Sequence, residues 1–435
     1  MNEDFLHFIW RSRLFSQIDL TTTNGQIVQI LKTGEYNTDS GPDFSLGTIR
    51  IGSQVWIGNV EIHIKSSDWY LHRHHEDEVY DSVILHVCWE IDKDVFRRDD
   101  TVIPQIELKS RVDEWRVQRF YDLQHNLDHI PCSSLIPRLE PHAWKNAIDR
   151  MYVERLEERS EKILMRLKQL NGDWNQVYWE QLCSAFGMKT NKEGFLRLAE
   201  LLKVNVILHV RNDQHKVEAL LFGVAGLLSK DLKGSYAEGL RKEFKFQLKK
   251  NGLAELNPMI WKFMRMRPNN FPTIRLAQLA GFICKYGIVF KPDSSGKYAL
   301  FEEKVLRIPM NEFWDNHYTL TKASNKRRKQ PGPQLRRSLV ANFLVPMYFT
   351  FAKYVDNTSM QDQVLDRFSK FPPEINRVTR RFTKLGLEIE NLWDSQSVLH
   401  LHNNYCTLKR CTNCIIGKNL LSNEEKSTRN LEVSD

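Results

Sequence analysis

DFSLGTIRIGSQVWIGNVEIHIK, residues 43–65, reads as a β-hairpin, with one strand near 43–51, a turn at Gly52 and Ser53, and a second strand near 54–65. Side chains alternate along a strand, so Val60, Ile62 and Ile64 face one way and Asn59, Glu61, His63 and Lys65 the other. A strand lying between a neighbour and another buried strand rarely carries such a polar row without a use for it. Upstream, residues 4–16 place Phe5, Phe8, Leu14 and Phe15 at near-helical spacing, GQIVQILKTGEY (25–36) suits one strand, and NTDSGPD (37–43) a tight loop. Downstream, EDEVYDSV (76–83) is long enough for about two helical turns. ILHVCWEI (84–91) is an apolar run suited to a strand covered on both faces, and PQIELKS (104–110) adds another strand.

From about residue 140 the apolar period becomes helical, first over a long stretch to 170, then over 173–187, 191–203, 214–228, 235–251 and 272–287. Residues 288–330 read as irregular and the last hundred as largely helical. The expected fold class is α+β. An α/β domain spans 1–135, a mainly helical domain 136–325, and a helical C-terminal region 326–435.

The composition, 41% apolar and 27% charged over 435 residues, excludes collagen-like, low-complexity and disulfide-scaffold classes. MNEDFLHFIW lacks the basic and apolar regions of a signal peptide, so a cytoplasmic protein is expected. The apolar stretch 338–355 contains Asn342, Pro346 and Lys353 and reads as a buried helix, with no membrane partner. A net charge of +8 favours a polyanion such as nucleic acid. Lys326, Arg327, Arg328 and Lys329, and Arg377, Arg380 and Arg381 at helical spacing, are the candidate phosphate contacts, set against ordinary solvated charge.

Asp43 opens one hairpin strand and Glu61 sits late in the other, so the two carboxylates can converge on a divalent cation. Mg²⁺ or Mn²⁺ suits such hard oxygen donors, with the Ile62 carbonyl as a third. His63, on the same face, is placed to orient or deprotonate a water. The order helix, three strands, helix, strand, with Pro42-Asp43 entering one strand and Glu61-Ile62-His63 in the next, resembles the core of the PD-(D/E)xK nuclease superfamily. That resemblance implies a metal-dependent nuclease or phosphodiesterase with Asp43 and Glu61 as ligands. His63 stands where the superfamily usually has lysine, and Lys65 lies on the same face two residues on. This departure leaves open a nucleic-acid or protein-binding module that keeps the fold without the chemistry. A third reading places Zn²⁺ on His63, His72, His74 and His86 with Glu61 or Asp77, as in a zinc hydrolase. Trp69, Tyr70 and Tyr80 either cover such a cleft or simply pack.

Cys406, Cys411 and Cys414 have the spacing C-x4-C-x2-C, with His400 and His402 just before. Three thiolates and His402 would complete a structural Zn²⁺ site. An iron–sulfur cluster, carried by certain nucleases of that superfamily, is the alternative and needs a fourth cysteine from a distant position. Cys88, Cys132, Cys183 and Cys284 are scattered and read as reduced core residues. Over its length the chain also resembles the uncharacterised bacterial family known as domain of unknown function 2851. The residues behind this are SGPDF (40–44), GNVEIH (58–63), SSDW (66–69), ILHV (84–87), RPNNFPTIRLAQLAG (267–281) and YCTLKRCTNC (405–414). That likeness implies no activity.

Overall fold

The computed structural model describes residues 1–229, 231–292 and 307–423, so part of the irregular stretch expected at 288–330 lies outside the described residues. The chain divides into two compact units. One is Met1–Ile148 with the segment from His400 onward, and the other is Asp149–Leu399.

In the first unit, α1 (Glu3–Arg11) begins at Asn2, whose side chain accepts the Phe5 N–H at 3.1 Å. This helix buries Phe5, Leu6, Phe8, Ile9 and Trp10. A mixed sheet follows, made of β1 (Val28–Lys32), β2 (Glu35–Tyr36), β3 (Phe44–Ile51), β4 (Gln54–Lys65), β5 (Val83–Glu90) and β6 (Gln105–Glu107). Its order is β1-β3-β4-β5-β6, with β2 pairing on β3. β1, β3 and β4 run antiparallel, and the hairpin turns at Gly52 and Ser53. β4–β5 and β5–β6 are parallel, which requires the crossover through residues 66–82. Gly58 lets this crossover enter closely. A Cβ there would stand 2.4 Å from the Ile84 side chain and 2.8 Å from the Ser82 carbonyl oxygen.

Two local expectations are corrected. The stretch 25–36 is two strands, because Gly34 turns the chain at φ 99° and brings it against the Ser45 carbonyl. The crossover holds one α-turn, α2 (Asp68–Leu71), and then short 3-10 turns at His74–Glu76 and Glu78–Ser82 in place of a helix at 76–83. Asp77 stops a longer helix by accepting the Val79 N–H at 3.0 Å, a local side-chain bond that competes with helix propagation.

The remaining helices are α3 (Glu114–His125), α4 (Pro141–Gln169), α5 (Trp174–Gly187), α6 (Lys192–Leu201), α7 (Val204–Val210), α8 (Gln214–Val224), α9 (Ser235–Asn251), α10 (Pro272–Tyr286), α11 (Pro333–Leu339), α12 (Val345–Tyr354), α13 (Thr358–Ser369), α14 (Arg377–Lys384), α15 (Leu392–Leu401) and α16 (Ile415–Ser422). The two compact units meet near residues 148 and 400. α3 belongs to the sheet unit because Phe120 stacks on Phe5 at 4.3 Å. The C-terminal segment returns to that unit, where the Arg119 guanidinium donates to the Leu420 and Asn423 carbonyls at 2.7 and 2.9 Å.

The second unit is helical around Trp179, Phe186, Phe195, Phe222, Phe282 and Trp314, all fully buried. The apolar stretch 338–355 forms the end of α11, a π-type turn at Val340–Leu344, and α12 within this core. No helix among the described residues is long and apolar enough to cross a membrane. Glu218 is fully buried there, accepting from the Tyr236 hydroxyl, from Gln214 Nε2 at 3.1 Å and from Trp314 Nε1 at 3.4 Å. Burial pushes its pKa up to about 7 despite these donors. A carboxyl with a raised folded pKa adds stability that is fully present below its unfolded pKa and lost as pH rises through the folded value. Wild-type protein should therefore lose stability relative to Glu218→Gln between about pH 4.5 and 7, by up to about 3 kcal/mol in urea unfolding.

Candidate metal centre

One residue pair beyond Phe44 and Val60, the β3–β4 backbone ladder stops and two carboxylates take its place. The Asp43 N–H donates to Glu61 Oε2 at 3.0 Å, and the Ile62 N–H donates to Asp43 Oδ2 at 2.9 Å. Each side chain therefore fixes the other residue's strand, and both carboxylates are held at the mouth of the hairpin.

The second Glu61 oxygen faces imidazoles. Glu61 Oε1 lies 3.3 Å from His74 Nε2 and 3.7 Å from His63 Nε2. His63 Nε2 is in turn 3.1 Å from His72 Nδ1. His63, His72 and His74 each offer a ligand atom within 4.8 Å of the others. His63 Nδ1 sits 2.8 Å from His86 Nε2, so His86, beside Glu61 in the parallel register, orients the His63 ring from behind. Glu61, His63 and His86 are buried, whereas His72 is exposed and opens the group to solvent.

Electrostatics in this group favour a cation. Burial and then the neighbouring Asp43 push the Glu61 pKa up to about 9. Burial, reinforced by the surrounding histidines, holds His63 down to about 2 and His86 to about 3, so both rings are neutral and available as donors. His74 Nε2 is buried with no hydrogen-bond partner while aimed at Glu61. Two donors on an ion at about 2.0–2.1 Å stand about 3–3.4 Å apart, close to the 3.1 and 3.3 Å separations here. The residues present thus fit a nitrogen-and-oxygen-ligated divalent cation.

The carboxylates and the histidine loop therefore meet in one group. His7 joins it from α1, with Nε2 3.2 Å from Asp43 Oδ2 and Nδ1 3.4 Å from the Tyr36 hydroxyl. Burial lowers the His7 pKa, but Asp43 together with Glu3 and Asp4 outweighs it and the net shift is upward. Nothing in FLHFIW marked His7, since one polar residue in an apolar helix usually faces solvent. Tyr80 stacks on His74 at 3.8 Å. Trp69 packs in a core with Val83, Val95 and Ile103 and donates to the Phe96 carbonyl at 3.1 Å, while the Tyr70 hydroxyl donates to the Asp94 carbonyl at 3.2 Å.

Other candidates lie apart from this group. Lys65 is exposed at the end of β4, opposite Glu90 in the register. Asp77 is occupied as a turn cap. Lys329 is buried, with Nζ donating to the Trp314 and Asp315 carbonyls at 2.6 and 2.8 Å and lying over the Tyr318 ring. Lys326, Arg327 and Arg328 are exposed. In α14, Thr379 and Phe382 are buried, leaving Arg377 and Arg380 exposed and Arg381 half-buried. Cys406, Cys411 and Cys414 are buried together in the first unit, and His402 Nδ1 lies 3.4 Å from Asn403 Oδ1.

In metal-free protein, NMR titration should find His63 and His86 still neutral at about pH 5, where an exposed histidine is protonated. Protonation of either ring near pH 6.5 would contradict the buried relay.

A family model described as "Protein of unknown function (DUF2851)" matches residues 3–377, a span that contains His7, Asp43, Glu61 and the four site histidines but ends before the cysteine segment. No curated protein and no solved structure matches the chain.

Proposed function

The chain belongs to the DUF2851 family, and we propose that it is a divalent-metal-dependent phosphodiester hydrolase acting on nucleic acid. The observation that carries this reading is the convergence of Glu61 with His63, His72 and His74 at ligand spacings, beside the second carboxylate Asp43. Glu61 Oε1 and the three imidazoles are the proposed donors. A bound Mn²⁺ or Zn²⁺ supplies Lewis-acid polarisation of a phosphoryl oxygen and acidifies water. Three imidazoles favour these ions over Mg²⁺, which prefers oxygen donors.

The chain's own groups do the rest. The Asp43 N–H holds Glu61 in place, the Ile62 N–H holds the Asp43 carboxylate, and His86 fixes the ring of His63. His7 holds a proton at Nε2 against Asp43, placing an acid at the edge of the same group. His72, exposed, leaves the side open through which a phosphate would enter. Support for a nucleic-acid substrate comes from the +8 net charge and from the sequence around Asp43 and Glu61, which resembles the PD-(D/E)xK core.

Purified protein stripped of metal and given Mn²⁺, Zn²⁺ or Mg²⁺ should cleave single- or double-stranded DNA or RNA, fastest with Mn²⁺ or Zn²⁺. Glu61→Ala should lower the rate at least about 100-fold, and His72→Ala with His74→Ala should abolish binding of the activating ion. Absence of cleavage with every ion and substrate, or cleavage unaltered by Glu61→Ala, would sink the proposal.

A further inference from the structure

Four buried cysteines from distant parts of the chain lie in the first unit. Cys406 closes a π-type turn, His402–Cys406, after which the backbone reverses through Lys409 at φ 51° and delivers Cys411 and Cys414 just before α16. Cys132 lies in the turn after α3, where its carbonyl accepts the Leu135 and Ile136 N–H groups at 3.0 Å. Two ties hold these segments together. Gln124 Nε2 donates to the Lys409 carbonyl at 3.1 Å, and the Lys409 ammonium donates back to the Gln124 carbonyl. α16 is laid directly on the cysteine loop at Gly417, where a Cβ would come within 2.1 Å of the Cys411 carbonyl oxygen.

All four thiols are at most 9% exposed, and none forms a disulfide. They are near enough to act on one another. Burial raises the Cys132 thiol pKa, and Cys414 and Cys411 raise it further, while Cys406 is raised by burial and then by Cys132, Cys414 and Cys411. Such a set of buried thiols, on segments tied together through Gln124 and Lys409 and joined by no sulfur–sulfur bond, suits a soft metal centre with no open coordination position. Lys409, tied to Gln124 beside this loop, places a cation that would offset part of the charge brought by four thiolates.

We propose that Cys132, Cys406, Cys411 and Cys414 ligate one soft metal centre, a Zn²⁺ ion or an iron–sulfur cluster, that pins the C-terminal segment to the segment after α3. Cys132 replaces His402 as the fourth ligand, and the scattered cysteine of the sequence becomes the distant partner of the clustered three. The centre is structural, because four protein thiolates leave no position for substrate. It is independent of the histidine group on β4 and stands or falls without it.

The test uses full-length protein carrying His72→Ala and His74→Ala, so that the histidine group contributes no metal, purified anaerobically. Zinc, iron and acid-labile sulfide are measured per chain, and X-ray absorption counts the ligands. The expected result is about one zinc with four sulfur ligands at about 2.3 Å, or iron with sulfide and terminal cysteine sulfur. Zinc without sulfide identifies the single ion, and iron with sulfide the cluster. Adding Cys132→Ser should remove most of that metal, whereas adding Cys284→Ser or His402→Ala should leave it in place. Protein with neither metal, zinc held by three sulfurs and one nitrogen, or a folded Cys132→Ser protein with its full metal content would each overturn the proposal. Should Cys132→Ser prove insoluble, the ligand count on the parent protein decides alone.

Discussion

Two hydrogen bonds between the ends of β3 and β4, each from a backbone N–H to the carboxylate of the opposite strand, are what the candidate site depends on. A carboxylate pointed into a sheet is costly unless donors meet it. Here the donors are the ladder groups that would otherwise stay unpaired where the pairing of Phe44 with Val60 ends. The exchange leaves one Glu61 oxygen committed to the backbone and the other turned to the imidazoles. Removing either carboxylate therefore does more than subtract a ligand, because it also strands a backbone donor and loosens the other carboxylate.

The parallel pairing of β4 with β5 provides the second constraint. It sets Glu61 beside His86 and His63 beside Cys88, and β6 then brings Gln105 beside His86. The row is polar yet almost wholly buried, with Gln105, His86 and His63 at 0, 0 and 1% exposure. Such a row persists in a low-dielectric layer when its members satisfy one another. His63 uses both ring nitrogens on other imidazoles, and His86 also lies 3.5 Å from Gln105 Nε2. Neutral imidazoles make this possible, since two protonated rings at 2.8 Å would repel strongly.

The hairpin, β5 and the meeting of Asp43 with Glu61 were legible because they follow from local rules: alternation, turn residues at Gly52 and Ser53, and an apolar run for β5. His74 was marked as a candidate ligand by its H-x-H spacing, but its placement beside Glu61 was not legible. It rests on 3-10 turns set by Asp77 and on stacking against Tyr80, neither of which has a periodic signature. His7 was hidden for a different reason, since its partner is fixed only when α1 packs against the sheet. The burial of Lys329 was not legible because a run of four cations looks uniformly solvated, while the fold turns one inward onto three backbone carbonyls. Spacing along the chain cannot reveal that the segment from His400 onward returns to the first unit.

That return has a physical consequence. Closing a loop of more than 250 residues costs conformational entropy that grows only slowly with its length. The segment from His400 onward still needs enough contacts to offset that cost, and it is short, with α16 only eight residues long. The donors from Arg119, Gln124 and Lys409 supply hydrogen bonds, each worth about 1 kcal/mol net. A bound metal would contribute far more, about 10–16 kcal/mol for a structural zinc at neutral pH. The histidine group needs no such staple, because its residues already sit on paired strands and a capped turn. The two groups thus differ in kind: one set of donors is positioned by the sheet, and the other would gain its stability from the ion it holds.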